Sequence, residues 1–203
     1  MTATATATRL LPAPTSRALE DRLVDATLAC VGRWGVAKTG LDDVAREAGC
    51  SRATVYRAFP GGKDALIEAW ARTELVRFCT AVADRMAAAG CVEDLLVAGI
   101  HEAGTRIARH AALRYLVTYE PEVVLPRLAF RECDAVLAAA VDFAAPHLER
   151  FLDAVGAARA AEWATRVLIS YSCLPADDVD LTDEVSVRRL VQTFVLPAFV
   201  PGP

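Results

Sequence analysis

TGLDDVAREAGCSRATVYRAF, residues Thr39 to Phe59, holds two short helical patterns joined at a sharp turn. Thr39 reads as a hydroxyl N-cap with Asp42 three residues on, an arrangement that satisfies free amide groups and sets a carboxylate at the positive end of the helix dipole. Leu41, Val44, Ala45 and Ala48 follow at i, i+3, i+4 and i+7, an apolar stripe on a helix of about two turns. Gly49 suits the left-handed position just past a helix end, and Ser51 is a fresh N-cap one residue after Cys50. In the second helix Val55, Ala58 and Phe59 share a side at about 100° per residue. Arg52, Ala53, Thr54, Tyr56 and Arg57 are left on or beside the outer surface.

That outer set has the chemistry of a helix that reads DNA. A small residue at Ala53 lets the backbone come close to a base edge. Arg52, in the first turn, can make a two-pronged contact to guanine in the major groove, while the Tyr56 hydroxyl, Thr54 and Arg57 suit phosphate oxygens. Two helices and a short turn taken alone are equally an ordinary αα-hairpin with a solvated charged face. The neighbouring sequence separates the two readings.

Residues 19 to 70 resemble the N-terminal DNA-binding domain of the TetR family of bacterial transcriptional regulators. The resemblance rests on three pieces in order: LVDATLACVGRWG (Leu23 to Gly35), TGLDDVAREAGCSRATVYRAFP (Thr39 to Pro60) and KDALIEAW (Lys63 to Trp70). It implies an all-α fold in which an N-terminal three-helix, helix-turn-helix DNA-binding domain joins a larger helical ligand-binding and dimerisation domain. It further implies that Arg52 to Phe59 enters the major groove, that Arg52, Ala53, Thr54, Tyr56 and Arg57 contact DNA, that Thr39 caps its helix against a phosphate, and that Lys63 lies beside the backbone. Two positions depart from the family pattern. Ala58 stands where many relatives carry histidine or another aromatic, and Gly61-Gly62 replaces the single Ser or Thr common between the proline and the lysine. The glycine pair offers no side-chain cap and reads as a loose hinge, so specificity leans on Arg52, Tyr56 and Arg57.

Composition agrees with a division of labour. The 203 residues, 54% hydrophobic, supply a sizeable core for one large or two small domains. The net charge of −4 excludes a uniformly basic nucleic-acid binder, but through Lys63 there are nine Lys+Arg against six Asp+Glu, and after it thirteen against twenty. The expected domains are a low-complexity arm over 1–16 (MTATATATRLLPAPTS), the helix-turn-helix domain over 17–63 and the second domain over 64–203. The arm is expected to be disordered, with Arg9 and Arg17 touching a minor groove as the alternative. Six cysteines, at 30, 50, 79, 91, 133 and 173, form no C-x-x-C pair or zinc spacing. With no signal peptide and no membrane-length apolar run, they read as reduced core cysteines of a cytoplasmic protein, a redox role for Cys50 being the alternative.

Beyond Lys63 the pattern is helical throughout. Helices are expected over Lys63–Ala89, a natural lever between the domains, and over Val92–Arg109, Ala111–Tyr119, Val123–Ala144, Ala157–Cys173 and Glu184–Phe199, with a short segment from Pro146 to Val155. Ala158, Ala161, Thr165, Leu168 and Ser172 form one stripe of the eighth helix, and Val187, Leu190, Val191, Phe194, Val195 and Ala198 one of the ninth. The resemblance implies that these two helices pair with their twins in a four-helix homodimer interface; a role in the monomer core is the alternative. Polar groups interrupting apolar helices, namely His101, Thr105, Tyr115, Thr118, Tyr119 and Asp142, are effector-pocket candidates, with Phe143, Phe78 and Trp70 as apolar wall.

Catalysis is not expected. His110 lies nine residues after His101, which places the imidazoles on opposite helical faces, and neither a nucleophile elbow nor a phosphate-cradling glycine loop is present. No cofactor and no metal are expected. The reading is a ligand-responsive repressor, bound as a homodimer to a palindromic double-stranded DNA operator and released by a small, largely apolar effector. A ligand-independent regulator is the alternative, and no membrane association is expected.

Overall fold

Leu23, Ala26, Thr27, Cys30 and Val31 recur at helical spacing in the first helix, α1 (Pro14–Lys38), and all five are buried. The computed structural model of the chain describes residues 14–119 and 133–199. Within α1, Gly35 takes φ 81° and ψ 172°, a conformation costly for any residue with a Cβ, and there the helix breaks. Helices α2 (Leu41–Glu47), α3 (Arg52–Ala58) and α4 (Gly62–Ala87) follow. Leu41, Val44 and Ala45 of α2, Val55 of α3 and Leu66 of α4 close a first core against α1.

The chain forms two compact units that divide between Thr73 and Glu74, within α4. That helix gives Leu66 to the first core and Val82 and Met86 to a second. The second unit contains α5 (Val92–Arg109), α6 (Ala111–Tyr119), α7 (Cys133–Leu148), α8 (Ala154–Cys173) and α9 (Glu184–Leu190), the last continued by a π turn (Val191–Val195) and a 3-10 turn (Leu196–Ala198). Leu95, Leu96, Val97 and Ile100 of α5 fill its core, and Ala157, Ala160 and Ala161 let α8 approach closely. At the start of α5, Arg188 bonds Asp94 at 2.9 Å and Glu93 at 3.1 Å, and so ties α9 to that helix.

Several boundaries differ from expectation. The helix expected over Val123–Ala144 is observed as Cys133–Leu148; the rest of its expected span lies outside the described residues. Pro146 sits in the last turn of α7, where a missing N–H removes one bond from the helix end. α8 starts at Ala154 because Asp153 is its N-cap, accepting from the Gly156 N–H at 2.7 Å. The last helix is not uniform. Pro197 brings no N–H and crowds the carbonyl four residues back, and ahead of it the backbone widens so that the Leu196 N–H reaches Val191 O.

Much of the α9 stripe expected to pair between protomers is inside the unit, whereas in the α8 stripe only Ala161 is buried and Ala158, Thr165, Leu168 and Ser172 are half-buried. Val187, Val191 and Val195 are fully buried and Leu190 is 3% exposed. Thr165 donates its hydroxyl proton back to the Ala161 carbonyl at 2.8 Å. The large exposed apolar side chains of these elements are Val155, Trp163, Leu174, Val185 and Phe194. Among the described residues no helix is long and apolar enough to cross a membrane.

Candidate nucleic-acid interface

The turn between α2 and α3 is closed by backbone hydrogen bonds. Gly49 takes φ 64°, the Cys50 N–H donates to Ala45 O at 2.9 Å, and the Gly49 N–H donates to Arg46 O at 3.2 Å. This is a Schellman pairing, which satisfies the last carbonyls of α2 and requires a left-handed residue where the glycine stands. Ser51 caps α3 by accepting from the Thr54 N–H at 3.1 Å. Val55 at 0% and Phe59 at 9% exposure hold the inner face of α3. As the spacing predicts, Arg52, Ala53, Tyr56 and Arg57 are exposed and Thr54 is half-buried.

The outer side chains are partly pre-ordered. Arg52 Nη1 bonds Asp42 Oδ2 at 2.6 Å, and the Arg52 guanidinium lies 5.6 Å from the Tyr56 ring centroid. Arg57 Nη2 reaches Thr54 Oγ1 at 3.4 Å. Lys63 Nζ donates to Ala37 O at 3.1 Å, which leaves two of the three ammonium protons for other acceptors. The Gly61-Gly62 pair is a tight turn rather than a loose hinge: Gly62 has φ 70°, its N–H donates to Phe59 O at 2.9 Å, and a Cβ at Gly61 would lie 2.8 Å from the Ala65 Cβ.

Thr39 corrects the expected cap. It is 2% exposed, and its hydroxyl donates at 2.6 Å to Gly35 O, a carbonyl freed by the break in α1. The N-cap of α2 is Gly40, whose N–H donates to Asp43 Oδ2 at 3.1 Å. Cys50 packs half-buried against the first core, and burial raises the pKa of the Cys30 thiol in that core, away from the reactive thiolate.

Residues 23–70, which hold all of this turn and helix, match the family model of the bacterial regulatory proteins, tetR family. Residues 23–70 of the chain are therefore a DNA-binding segment of the TetR type. Over 189 residues the chain is 28% identical to an uncharacterized HTH-type transcriptional regulator of Mycobacterium tuberculosis, across 90% of this chain and 86% of that one. The fold is shared with the TetR family repressor AlkX from Dietzia sp., implicated in biodegradation of n-alkanes, at 22% identity and a TM-score of 0.61 over 94% of this chain and 98% of that one. It is shared also with the regulator FadR from Bacillus subtilis, solved in complex with stearoyl-CoA, at 13% identity and a TM-score of 0.63 over 85% of this chain and 97% of that one. Within that segment α2 and α3 are the helix-turn-helix of a DNA-binding transcriptional regulator.

In the second unit the expected effector residues do not converge. His101 Nε2 lies 3.1 Å from Thr182 O, while His101 Nδ1 and Thr105 Oγ1 are buried without a partner. The Tyr115 and Tyr119 rings lie 4.9 Å apart, with Tyr119 exposed. Asp142 is exposed, Phe143 is half-buried with its ring 5.6 Å from His147, and the Thr118 side chain lies outside the described residues.

A cleft of about 540 Å³ opens between the end of α5, the start of α6, the end of α8 and residues 175–182, and His101, Thr105, Tyr115, Tyr119, Asp142 and Phe143 do not line it. Its walls include Ile107, Leu113, Tyr171 and Leu181, with Ser172, Arg114, Asp177 and Asp180 as polar groups. Gly104 makes this wall possible, because a Cβ there would lie 2.5 Å from the Leu181 Cβ. Residues 175–182 dock here through Leu181.

His110 has a role that sequence spacing missed. Its Nδ1 accepts from the Leu113 N–H at 3.1 Å, capping α6, and Nε2 lies 3.1 Å from Glu74 Oε2 on α4. An accepting Nδ1 leaves the ring proton on Nε2, so the imidazole donates to Glu74. Leu113 and Arg114 at the cleft wall are therefore joined to α4 through one side chain. Among the described residues no group of three His, Cys, Asp or Glu is placed to hold a metal ion.

Proposed function

We propose that this chain is a cytoplasmic, ligand-responsive repressor that binds a palindromic operator as a homodimer and is released by a small, largely apolar effector. The observation that carries the DNA half is the capped α3 with Arg52, Ala53, Tyr56 and Arg57 outward on a buried Val55 and Phe59. In this reading Arg52 contacts a base edge, Ala53 allows close approach, Thr54, Tyr56 and Arg57 take phosphates, and Lys63 meets the backbone at the start of α4. Thr39 serves from inside, holding the α1–α2 corner, since its hydroxyl proton is already committed to Gly35 O. Two recognition helices must meet successive major grooves, about 34 to 36 Å apart, which calls for a two-fold partner. Trp163, Leu174, Val185 and Phe194 supply the apolar surface for it.

Arg52→Ala and Lys63→Ala separate reading from anchoring. Arg52→Ala is expected to lower discrimination at one base pair by about one to two orders of magnitude, whereas Lys63→Ala weakens all sequences alike and reduces the salt slope by about one. Gel shifts over a salt series measure both. Operator preference that survives Arg52→Ala would remove Arg52 from the reading role.

The effector half rests on the cleft, whose lining residue Ser172 has a buried, unpartnered Oγ that a bound molecule could satisfy. The solved relatives named for n-alkane biodegradation and for stearoyl-CoA support a ligand with an apolar chain. The His110 link from cleft to α4 supplies a route by which such binding changes the DNA-bound state. A fatty acid or its CoA thioester at 100 times its Kd is expected to stabilise the fold by about 2.7 kcal/mol, visible as a raised Tm. Unchanged Tm across apolar acids, thioesters and alkanes would favour the ligand-independent regulator.

A further inference from the structure

We propose that Asp42 is a specificity-determining residue: from α2 it sets the direction of the Arg52 guanidinium on α3, and so governs how strongly one DNA sequence is preferred over others. This rests on the DNA reading above and names a residue outside the α3 reading set.

The three acids of α2 have separate partners. Glu47 pairs with Arg33 at 2.9 Å, and Asp43 accepts from the Gly40 N–H that starts its own helix. Asp42 reaches across the turn to a residue ten positions on, and meets Arg52 Nη1 at 2.6 Å. The side chains of this pair are 55% and 58% exposed. Exposed pairs of this kind contribute little to folding, because water screens them and two long side chains lose freedom in forming them. The fold therefore has little need of the contact, whereas the reading surface has a direct use for it.

A guanidinium is a planar fork with five N–H donors, so holding one nitrogen beside a carboxylate and the plane near the Tyr56 ring restricts where the remaining donors point. An unheld arginine reaches phosphates of any sequence as readily as one base edge, and must give up its rotamer freedom when it binds. A held arginine has given up that freedom beforehand and has fewer wrong partners within reach. Near the phosphates the carboxylate also repels, which weakens every sequence alike and leaves the ratio between sequences unchanged. Were Asp42 instead a competitor that withholds Arg52 from the base edge, its removal would raise that ratio.

The test uses the full chain and a randomised duplex library. The duplex enriched by the unmodified protein and a scrambled duplex of the same composition are titrated with the unmodified chain, Asp42→Ala, Asp42→Asn, Arg52→Ala and the Asp42→Ala/Arg52→Ala pair, each checked for an intact thermal transition. Asp42→Ala is expected to lower the affinity ratio of enriched to scrambled duplex by about 10-fold. Asp42→Asn, which keeps an acceptor and loses the charge, falls between. In the Arg52→Ala background, removing Asp42 is expected to change the ratio by less than about 2-fold, because the partner it positions is gone. A ratio that stays or rises in Asp42→Ala, or that falls equally without Arg52, overturns the proposal while leaving the DNA reading in place. Failure of the unmodified protein to enrich any sequence overturns both.

Discussion

A chain carrying Trp163→Asp and Phe194→Asp is expected to remain folded, run as a monomer and bind its operator about 100 to 10,000 times more weakly. Both side chains are exposed, at 49% and 63%, so the substitutions leave the core of the unit untouched. α8 and the segment after α9 lie side by side, with the Arg159 guanidinium 5.7 Å from the Phe199 ring, and a two-fold partner covering one element covers the other. A carboxylate in such an interface loses hydration without gaining a partner. The loss at DNA is large because the second half-site is bound at the effective concentration set by the first, and a monomer forgoes that gain entirely. Sedimentation and gel shift on the same samples measure the two consequences. A dimer that persists in the double variant would place the interface elsewhere.

Leu190→Ala is expected to do the opposite, removing stability rather than association. Leu190 is 3% exposed among Leu95, Val187 and Val191, and truncating such a side chain typically costs about 2 to 5 kcal/mol through lost transfer energy and the cavity left behind. For a chain of this size the melting temperature should fall on the order of 10 °C. The fall should be similar at low and high protein concentration, because the lost contacts lie within one protomer. A concentration-dependent change with little shift at high concentration would return Leu190 to the dimer interface.

Leu190 and Phe194 fall on one helical pattern that sequence alone does not divide. The apolar residues of the last helix satisfy a monomer core and a dimer interface equally well, since periodicity states that a face is buried and not what buries it. Burial separates Val187, Leu190, Val191 and Val195 from Phe194. The small residues of α8 are ambiguous for the same reason: Ala157, Ala160 and Ala161 permit close approach, and the approach is to helices of the same chain.

The reading surface was more legible because its causes are local. Gly49 and Ser51 end one helix and start the next by backbone geometry and a side-chain bond three residues long, and the inward Val55 and Phe59 then dictate which residues face out. Locality also marks the limit. Thr39 has the right chemistry and spacing for a cap, but the break at Gly35 offers its hydroxyl a closer carbonyl. The Asp42–Arg52 pair crosses a turn, so no helical spacing announces it. His110 holds α4 from 36 residues away, and Gly104 admits Leu181 from still farther along the chain.

The sequence by itself determined that the chain is all-helical, where its helix-turn-helix lies and which side of α3 is outward, because these follow from caps, glycine conformations and apolar period within a few residues. Only the tertiary structure decided which apolar faces the monomer covers, which hydroxyls and carboxylates are already committed, and where a cleft opens. Each of those outcomes is a competition between partners distant in sequence, settled by which of them the packed helices bring within hydrogen-bonding or van der Waals reach.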